Sequence, residues 1–86
     1  MMEFPVQQLN TIKNILESLL FVARKPLTPE EIAQAMGEGV SAEAITTLLE
    51  ELLRDYEGKG INIIKVAGGY LMGTSPENAD YVYNLL

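Results

Sequence analysis

The side chains of this chain that could carry out chemistry are almost all carboxylates. Two adjacent pairs stand out, Glu30-Glu31 and Glu50-Glu51, because paired carboxylates can serve as a general acid and a general base. Both pairs lie in segments with a helical pattern, and neighbouring positions on a helix point in different directions. Neither pair can therefore converge on one substrate. We interpret them as helix-capping residues and as part of a solvated helix face.

The residue types that most often act as nucleophiles, bases and metal ligands are missing. The 86 residues include no histidine and no cysteine, which excludes a Ser-His-Asp triad, a cysteine nucleophile, disulfides and thiolate metal sites. The carboxylates lack the spacing of an EF-hand loop. Gly68-Gly69 does not open a helix after a strand, so it does not fit a phosphate loop. We predict no enzymatic activity, no cofactor, no metal and no small-molecule ligand.

The charge of the chain argues against two further classes of function. Twelve acidic and six basic residues give a net charge of −6, whereas duplex-binding domains carry a basic face. The cations are scattered, so we do not expect tight autonomous binding of DNA. The sequence contains neither a long apolar run nor the basic amino-terminal cluster of a signal peptide. We therefore expect no membrane association and a cytoplasmic location.

Three helices are predicted in the first two thirds of the chain. Apolar residues at three- and four-residue steps indicate a helix from Gln7 to Ala23. A capping box over Thr28-Pro29-Glu30-Glu31 begins a short second helix, which stops at Gly37. Ser41 caps a third helix that runs to about Glu57.

The period of the apolar residues then changes from that of a helix to that of a strand. Ile61 to Val66 is typical of a strand, Ala67-Gly68-Gly69 of a turn, and Tyr70 to Thr74 of the returning strand. Ser75-Pro76-Glu77 caps a last helix. The sequence therefore predicts one domain over residues 1–86, mainly α with a small β-hairpin, in the order of a winged helix-turn-helix.

The third helix has the position of a DNA-recognition helix, but its outer face is acidic. Reading base edges requires Arg, Lys, Asn or Gln on that face. A single Arg54 is opposed there by carboxylates, namely Glu43, Glu50, Glu51, Asp55 and Glu57. Because such a face repels phosphates, we favour a domain that binds proteins. The alternative is a winged-helix DNA-binding transcriptional regulator.

Apolar residues away from the core stripes are the candidates for protein contacts. Phe21 lies nearly opposite the apolar stripe of the first helix, and either packs beneath the loop to Pro26 and Leu27 or binds a partner. Leu71 and Met72 follow the turn and would give an apolar wing tip. In the last helix, one face carries Ala79, Val82, Tyr83 and Leu86, and Tyr81 and Leu85 lie opposite, so we expect exposed apolar side chains on both faces. The predicted interface residues are Phe21, Val22, Leu71, Met72, Tyr81 and Leu85.

Two stretches of the sequence resemble the segregation and condensation protein B family. The first is Ile15 to Ala23 followed by Lys25-Pro26-Leu27-Thr28, which is similar to the opening helix of that family. The second is Ile63 to Tyr70 followed by Thr74 and Pro76-Glu77, which is similar to its wing and following helix. The resemblance extends from about Leu9 to Leu86.

This resemblance implies a function that the composition does not show. Members of the family are non-catalytic adaptors of the bacterial SMC–kleisin condensin complex, which condenses and segregates chromosomes. They form homodimers and bind the kleisin subunit, segregation and condensation protein A (ScpA), and through it the SMC ATPase, at the nucleoid. They have two tandem winged-helix domains, so the resemblance implies that this chain is the amino-terminal half of such a protein.

Overall fold

A computed structural model of the chain describes residues 6–37 and 39–86. The elements follow the predicted order: α1 (Val6–Val22), α2 (Pro29–Met36), α3 (Ala42–Asp55), β1 (Ile61–Val66), β2 (Gly69–Thr74), a turn of 3-10 helix (Pro76–Asn78) and α4 (Ala79–Leu85). This mainly helical chain with one antiparallel hairpin confirms the predicted winged-helix fold. None of the helices in the described ranges is long and apolar enough to cross a membrane.

The beginnings of α2 and α3 are fixed by side-chain caps. Thr28 Oγ1 accepts a hydrogen bond from the Glu31 backbone N–H at 3.1 Å, and Glu31 Oε1 accepts one from the Thr28 N–H at 2.9 Å. These two bonds form the predicted capping box. Ser41 Oγ accepts from the Ala44 N–H at 3.1 Å. Each cap satisfies N–H groups that a helix start otherwise leaves unpaired, so the caps define where both helices begin.

The core lies between the first three helices and the inner face of the hairpin. Both α1 and α2 pack against α3, which also contacts β1. Burial of a large aliphatic side chain stabilises a fold by roughly 1.5–3 kcal/mol, so this cluster dominates the stability of the domain. Its buried members are Ile12, Leu16, Leu20, Ile32, Ile45, Leu48, Leu49, Leu52, Ile63 and Tyr70.

The tip of the wing is a two-residue turn. Ala67 and Gly68 both have positive φ, at 50° and 80°, which is the geometry of a type I′ hairpin turn. The strands pair antiparallel, with Val66 opposite Gly69 and Ile64 opposite Leu71. The predicted apolar tip of Leu71 and Met72 is therefore wrong, because both residues lie within β2 and the turn itself carries only small side chains.

Leu27, in the loop between α1 and α2, extends the hairpin by one residue. Its N–H donates to the Tyr70 carbonyl at 2.9 Å, and the Tyr70 N–H donates to the Leu27 carbonyl at 2.8 Å. The close approach explains why position 69 is glycine, although its φ is not positive. A Cβ on Gly69 would lie 3.0 Å from both the carbonyl carbon and the carbonyl oxygen of Leu27.

The last helix, α4, is largely exposed. None of its residues is buried, and it contacts mainly the 3-10 turn that precedes it. Tyr83 and Leu86 are 82% and 97% exposed, and Tyr81 and Leu85 are 77% and 86% exposed, so apolar side chains are exposed on both faces, as the sequence predicts. The amphipathic pattern correctly predicts a helix, and of its apolar residues only Val82 is half-buried in the described chain.

Candidate protein-binding groove

An apolar groove of about 580 Å³ lies between the carboxyl-terminal half of α1 and the open end of the hairpin. It contains three of the six predicted interface residues, Phe21, Val22 and Met72. We call it the α1–wing groove. Its lining residues are Glu17, Ser18, Phe21, Val22, Tyr56, Ile61, Met72, Gly73 and Thr74.

The wall of the α1–wing groove is the side of α1 that faces away from the core. Phe21 and Val22 are 77% and 70% exposed. The alternative that Phe21 packs beneath the loop to Pro26 and Leu27 is therefore wrong, because the helix directs its ring into solvent. The Ser18 hydroxyl donates to the Asn14 carbonyl at 3.1 Å, within the helix, so it adds little polarity to the wall.

The floor of the groove is the inner face of the hairpin near its open end. Successive side chains of a strand point to opposite faces, so Ile61, Met72 and Thr74 share one face in the observed register. Met72 packs partly against the core, while Ile61 remains 41% exposed. Ile61 and Tyr56 were not predicted as contact residues, because both belong to apolar patterns that are typical of a core.

The outer face of the hairpin forms a second apolar surface. Leu71 lies opposite Ile64 on this face, so Leu71 and Met72 do not belong to one site. Ile64 and Val66 are 45% and 36% exposed. Neither was predicted as a contact residue, although β1 is apolar at positions of both faces. The remaining two candidates, Tyr81 and Leu85, are 77% and 86% exposed on α4 and do not line the groove.

The carboxylates of α3 are partly used to hold the fold together. Glu50 Oε2 accepts a hydrogen bond from the Tyr70 hydroxyl at 2.6 Å and lies 2.8 Å from Lys65 Nζ. The hydrogen bond from Lys65, followed by that from Tyr70, lowers the pKa of Glu50. Burial and the bond to Glu50 raise the pKa of Tyr70 to about 12. This cluster joins the wing to α3.

A second ion cluster joins α3 to α1. Lys13 Nζ lies 2.7 Å from Asp55 Oδ2 and 3.5 Å from Glu51 Oε1, and the bond to Asp55 is the main cause of the raised pKa of Lys13. Glu50 and Glu51 therefore point to different neighbours, as the sequence predicts for an adjacent pair. The acidic face of α3 is partly exposed, as predicted, and Glu50, Glu51 and Asp55 also pair with cations of other elements, which the sequence does not show.

The α1–wing groove is an open and mostly apolar surface. In residues 6–37 and 39–86 no group of three or more carboxylates is placed to hold a metal ion. The α1–wing groove has one charged lining residue, Glu17. An open apolar groove of this kind is typical of protein interaction sites.

Comparison with known families agrees with this description. The sequence pattern of the family described as segregation and condensation complex subunit ScpB matches residues 14–86. The chain belongs to the ScpB family. Segregation and condensation protein B of Symbiobacterium thermophilum is 42% identical over 76 residues, which cover 86% of this chain and 34% of that protein. The homolog from Coxiella burnetii is 35% identical over 75 residues, covering 85% of this chain and 36% of the homolog. The chain thus spans about a third of the length of these two ScpB relatives.

Solved structures show the same ScpB fold. A crystal structure of a dimer of an ScpB N-terminal domain complexed with a ScpA peptide aligns with a TM-score of 0.81 at 33% identity. The alignment covers 92% of this chain and 99% of that one. ScpB from Mycobacterium tuberculosis aligns with a TM-score of 0.79 at 27% identity, over 98% of this chain and 51% of that one.

Proposed function

We propose that this chain is a non-catalytic adaptor of a bacterial SMC–kleisin condensin complex, acting in chromosome condensation and segregation. It binds a second copy of itself and the kleisin subunit ScpA, and through ScpA it reaches the SMC ATPase. The observation that carries the proposal is the exposed apolar α1–wing groove, in a domain whose solved ScpB relative is a dimer complexed with a ScpA peptide.

The charges of the domain support protein binding over DNA binding. Three of the six basic residues, Lys13, Lys25 and Lys65, lie in ion pairs with carboxylates of the same chain. Their charge is therefore partly neutralised and is less able to release counterions from DNA phosphates. With a net charge of −6, the domain would repel a duplex.

The outer face of α1 supports self-association. Two copies, each with a net charge of −6, repel one another unless they meet on an uncharged surface. The exposed positions of this face that lie outside the α1–wing groove supply one, because they are Thr11, Asn14 and Ile15. We propose that this face contributes to the dimer.

The domain would be the amino-terminal half of a two-domain cytoplasmic protein. Relatives more than twice as long leave room for a second winged-helix domain, since the alignment covers 34% of one of them. Leu71, Tyr81 and Leu85 lie outside the groove, and we propose them as contacts for a partner or for that second domain. No role in catalysis is proposed for any residue.

Light scattering after size exclusion and calorimetric titration with the cognate ScpA test this function. We expect a dimer and a saturable interaction with ScpA. Phe21→Glu should weaken the interaction with ScpA, because it places a charge in the α1–wing groove, whereas Gln34→Glu adds the same charge at an exposed position of α2 and should change neither the dimer nor the affinity for ScpA. A wild-type chain that stays monomeric and does not bind ScpA would contradict the adaptor role. Tight, salt-sensitive binding to duplex DNA would favour the regulator instead.

A further inference from the structure

At the edge of β2 that lies away from β1, some backbone N–H and C=O groups point out of the hairpin. The N–H and C=O of Tyr70 bond to Leu27, so at this residue the backbone faces outward. In an antiparallel ladder this direction alternates from one residue to the next. Consequently the N–H and C=O groups of Met72 and Thr74 face the same outer edge. The Ser75 N–H, which donates to the Gly60 carbonyl at 2.7 Å, faces inward and confirms the alternation.

Within residues 6–37 and 39–86, the chain itself pairs with this edge at one position only. The pairing of Leu27 with Tyr70 is an isolated bridge, because the chain that precedes Leu27 comes from the end of α1 rather than from a strand. The structure gives neither Met72 nor Thr74 a backbone partner outside the hairpin in the residues it describes. The backbone groups of Met72 and Thr74 can therefore pair with an added strand, next to the one residue at which Leu27 pairs with β2.

The α1–wing groove lies along this edge. Met72, Gly73 and Thr74 form one side of it, and Phe21 and Val22 form the other. A residue paired with Met72 or Thr74 points its side chain to the same face as they do, which is the face that opens into the groove. The residue between them would pass Gly73, which has no side chain and nothing within 4 Å of the site of a Cβ.

The groove lining also indicates which residue types an added strand should carry. Alternate residues of an added strand meet apolar side chains, so they should be apolar. Glu17 is the one charged residue of the lining, and it should favour a basic residue on a partner of this acidic domain.

We propose that the β2 edge binds an extended segment of the kleisin partner, which adds to the hairpin as a strand. Its backbone pairs with Met72 and Thr74, its alternate apolar side chains enter the α1–wing groove, and a basic residue meets Glu17. The identity of the occupant rests on the proposed function. Strand addition gives affinity through the main chain and specificity through alternate side chains, which suits a shallow groove beside a free edge.

Hydrogen exchange of the backbone amides, followed by NMR, tests this assignment. The probe is a set of overlapping peptides that cover the cognate ScpA sequence. On addition of the binding peptide, exchange of the Met72 and Thr74 amides should slow by about tenfold or more, because both become hydrogen bonded. The Gly73 amide already faces β1 and serves as the internal reference, with little further change.

Proline substitution removes one of the two donors without removing a bond of the hairpin. Proline is tolerated on an edge strand where its missing N–H faces outward, so Thr74→Pro should fold. It should weaken peptide binding by about five- to tenfold, which is the effect of one hydrogen bond. Thr74→Ala removes the same side chain but keeps the N–H, so it should bind more tightly than Thr74→Pro, and the ratio of the two affinities isolates the missing donor. If Thr74→Pro unfolds, hydrogen exchange of the Met72 amide in the wild-type chain still tests strand addition.

The results of these experiments distinguish a failure of strand addition from a failure of the proposed function. Binding of a ScpA peptide with no slowing at Met72 and Thr74 would overturn strand addition and leave the adaptor role intact. Absence of ScpA binding would overturn both. Slowing that rises with the concentration of the chain alone would show that a second copy occupies the edge, and would overturn the assignment to ScpA.

Discussion

The Tyr70 hydroxyl donates a hydrogen bond of 2.6 Å to Glu50 Oε2, which ties the wing to the third helix. Tyr70 also exchanges two backbone hydrogen bonds with Leu27 in the loop before α2. One residue of β2 therefore positions the hairpin against both α3 and the loop that follows α1. The same residue fixes which backbone groups of β2 face the α1–wing groove.

Tyr70→Phe should destabilise the domain by about 1 kcal/mol. The ring stays buried, but the hydrogen bond to Glu50 is lost, and a single bond of this kind contributes about that much. Urea unfolding followed by circular dichroism measures the change. Tyr81→Phe is the matched control, because Tyr81 is 77% exposed on α4 and should unfold like wild type. Equal midpoints for all three proteins would show that the bond does not stabilise the fold.

The contribution of Tyr70 should disappear at high pH. Its pKa is raised from 10.0 to about 12, so the unfolded chain loses the proton first as the pH rises. The stabilisation is therefore complete below pH 10 and is lost as the pH approaches about 12. The difference in unfolding free energy between wild type and Tyr70→Phe, measured from pH 8 upward, isolates this residue from the other titrating groups. A difference that grows with pH would contradict the assignment.

Glu50 should contribute a stabilisation that is lost in acid. Its pKa is lowered from 4.5, chiefly by the hydrogen bond from Lys65, so the folded protein keeps the carboxylate to a lower pH than the unfolded chain does. The stabilisation is present above pH 4.5 and declines as the pH falls through the folded pKa. Glu50→Gln should therefore be less stable than wild type at pH 7 and approach it at low pH. Glu43→Gln, at an exposed position of the same helix, is the control.

Much of the fold could be predicted because its local signals agree with one another. The Thr28 capping box, the Ser41 cap and the change of period at Ile61 each act within a few residues, and the structure confirms all three. The packing of the last helix could not be predicted in this way. Its amphipathic pattern indicates a helix, but what covers Tyr83 or Leu86 depends on elements distant in sequence or in another chain.

The candidate site was predicted in part for the same reason. Phe21 and Val22 are identified by their angle on α1, which the sequence alone provides. Ile61 and Tyr56 join them only through the packing of the hairpin against the helices, which is a tertiary relationship. The cations that pair with Glu50 and Glu51 likewise come from β1 and α1. The sequence of α3 alone therefore predicts a more acidic face than the folded domain has.

Gly69→Ala should destabilise the domain by roughly 1–3 kcal/mol, the usual range for forcing an atom into a packed site. The new Cβ would lie 3.0 Å from backbone atoms of Leu27, and a backbone cannot rotate away as a side chain can. Gly73→Ala is the control in the same strand, because its Cβ would meet nothing within 4 Å. Urea unfolding of both variants measures the effect. Equal destabilisation would mean that a general preference for glycine in β2, and not the contact with Leu27, explains the result.

Phe21→Ala should leave the stability of the domain nearly unchanged and impair binding of ScpA. Its ring is 77% exposed, so its removal opens no cavity, and substitutions at such positions usually change stability by less than about 0.5 kcal/mol. Leu16→Ala on the same helix provides the contrast. Leu16 is 0% exposed, and truncation of a buried leucine costs about 3 kcal/mol. Thermal unfolding and calorimetric titration with ScpA, applied to both variants, separate the two roles. A Phe21→Ala variant as unstable as Leu16→Ala would place Phe21 in the core and remove it from the binding surface.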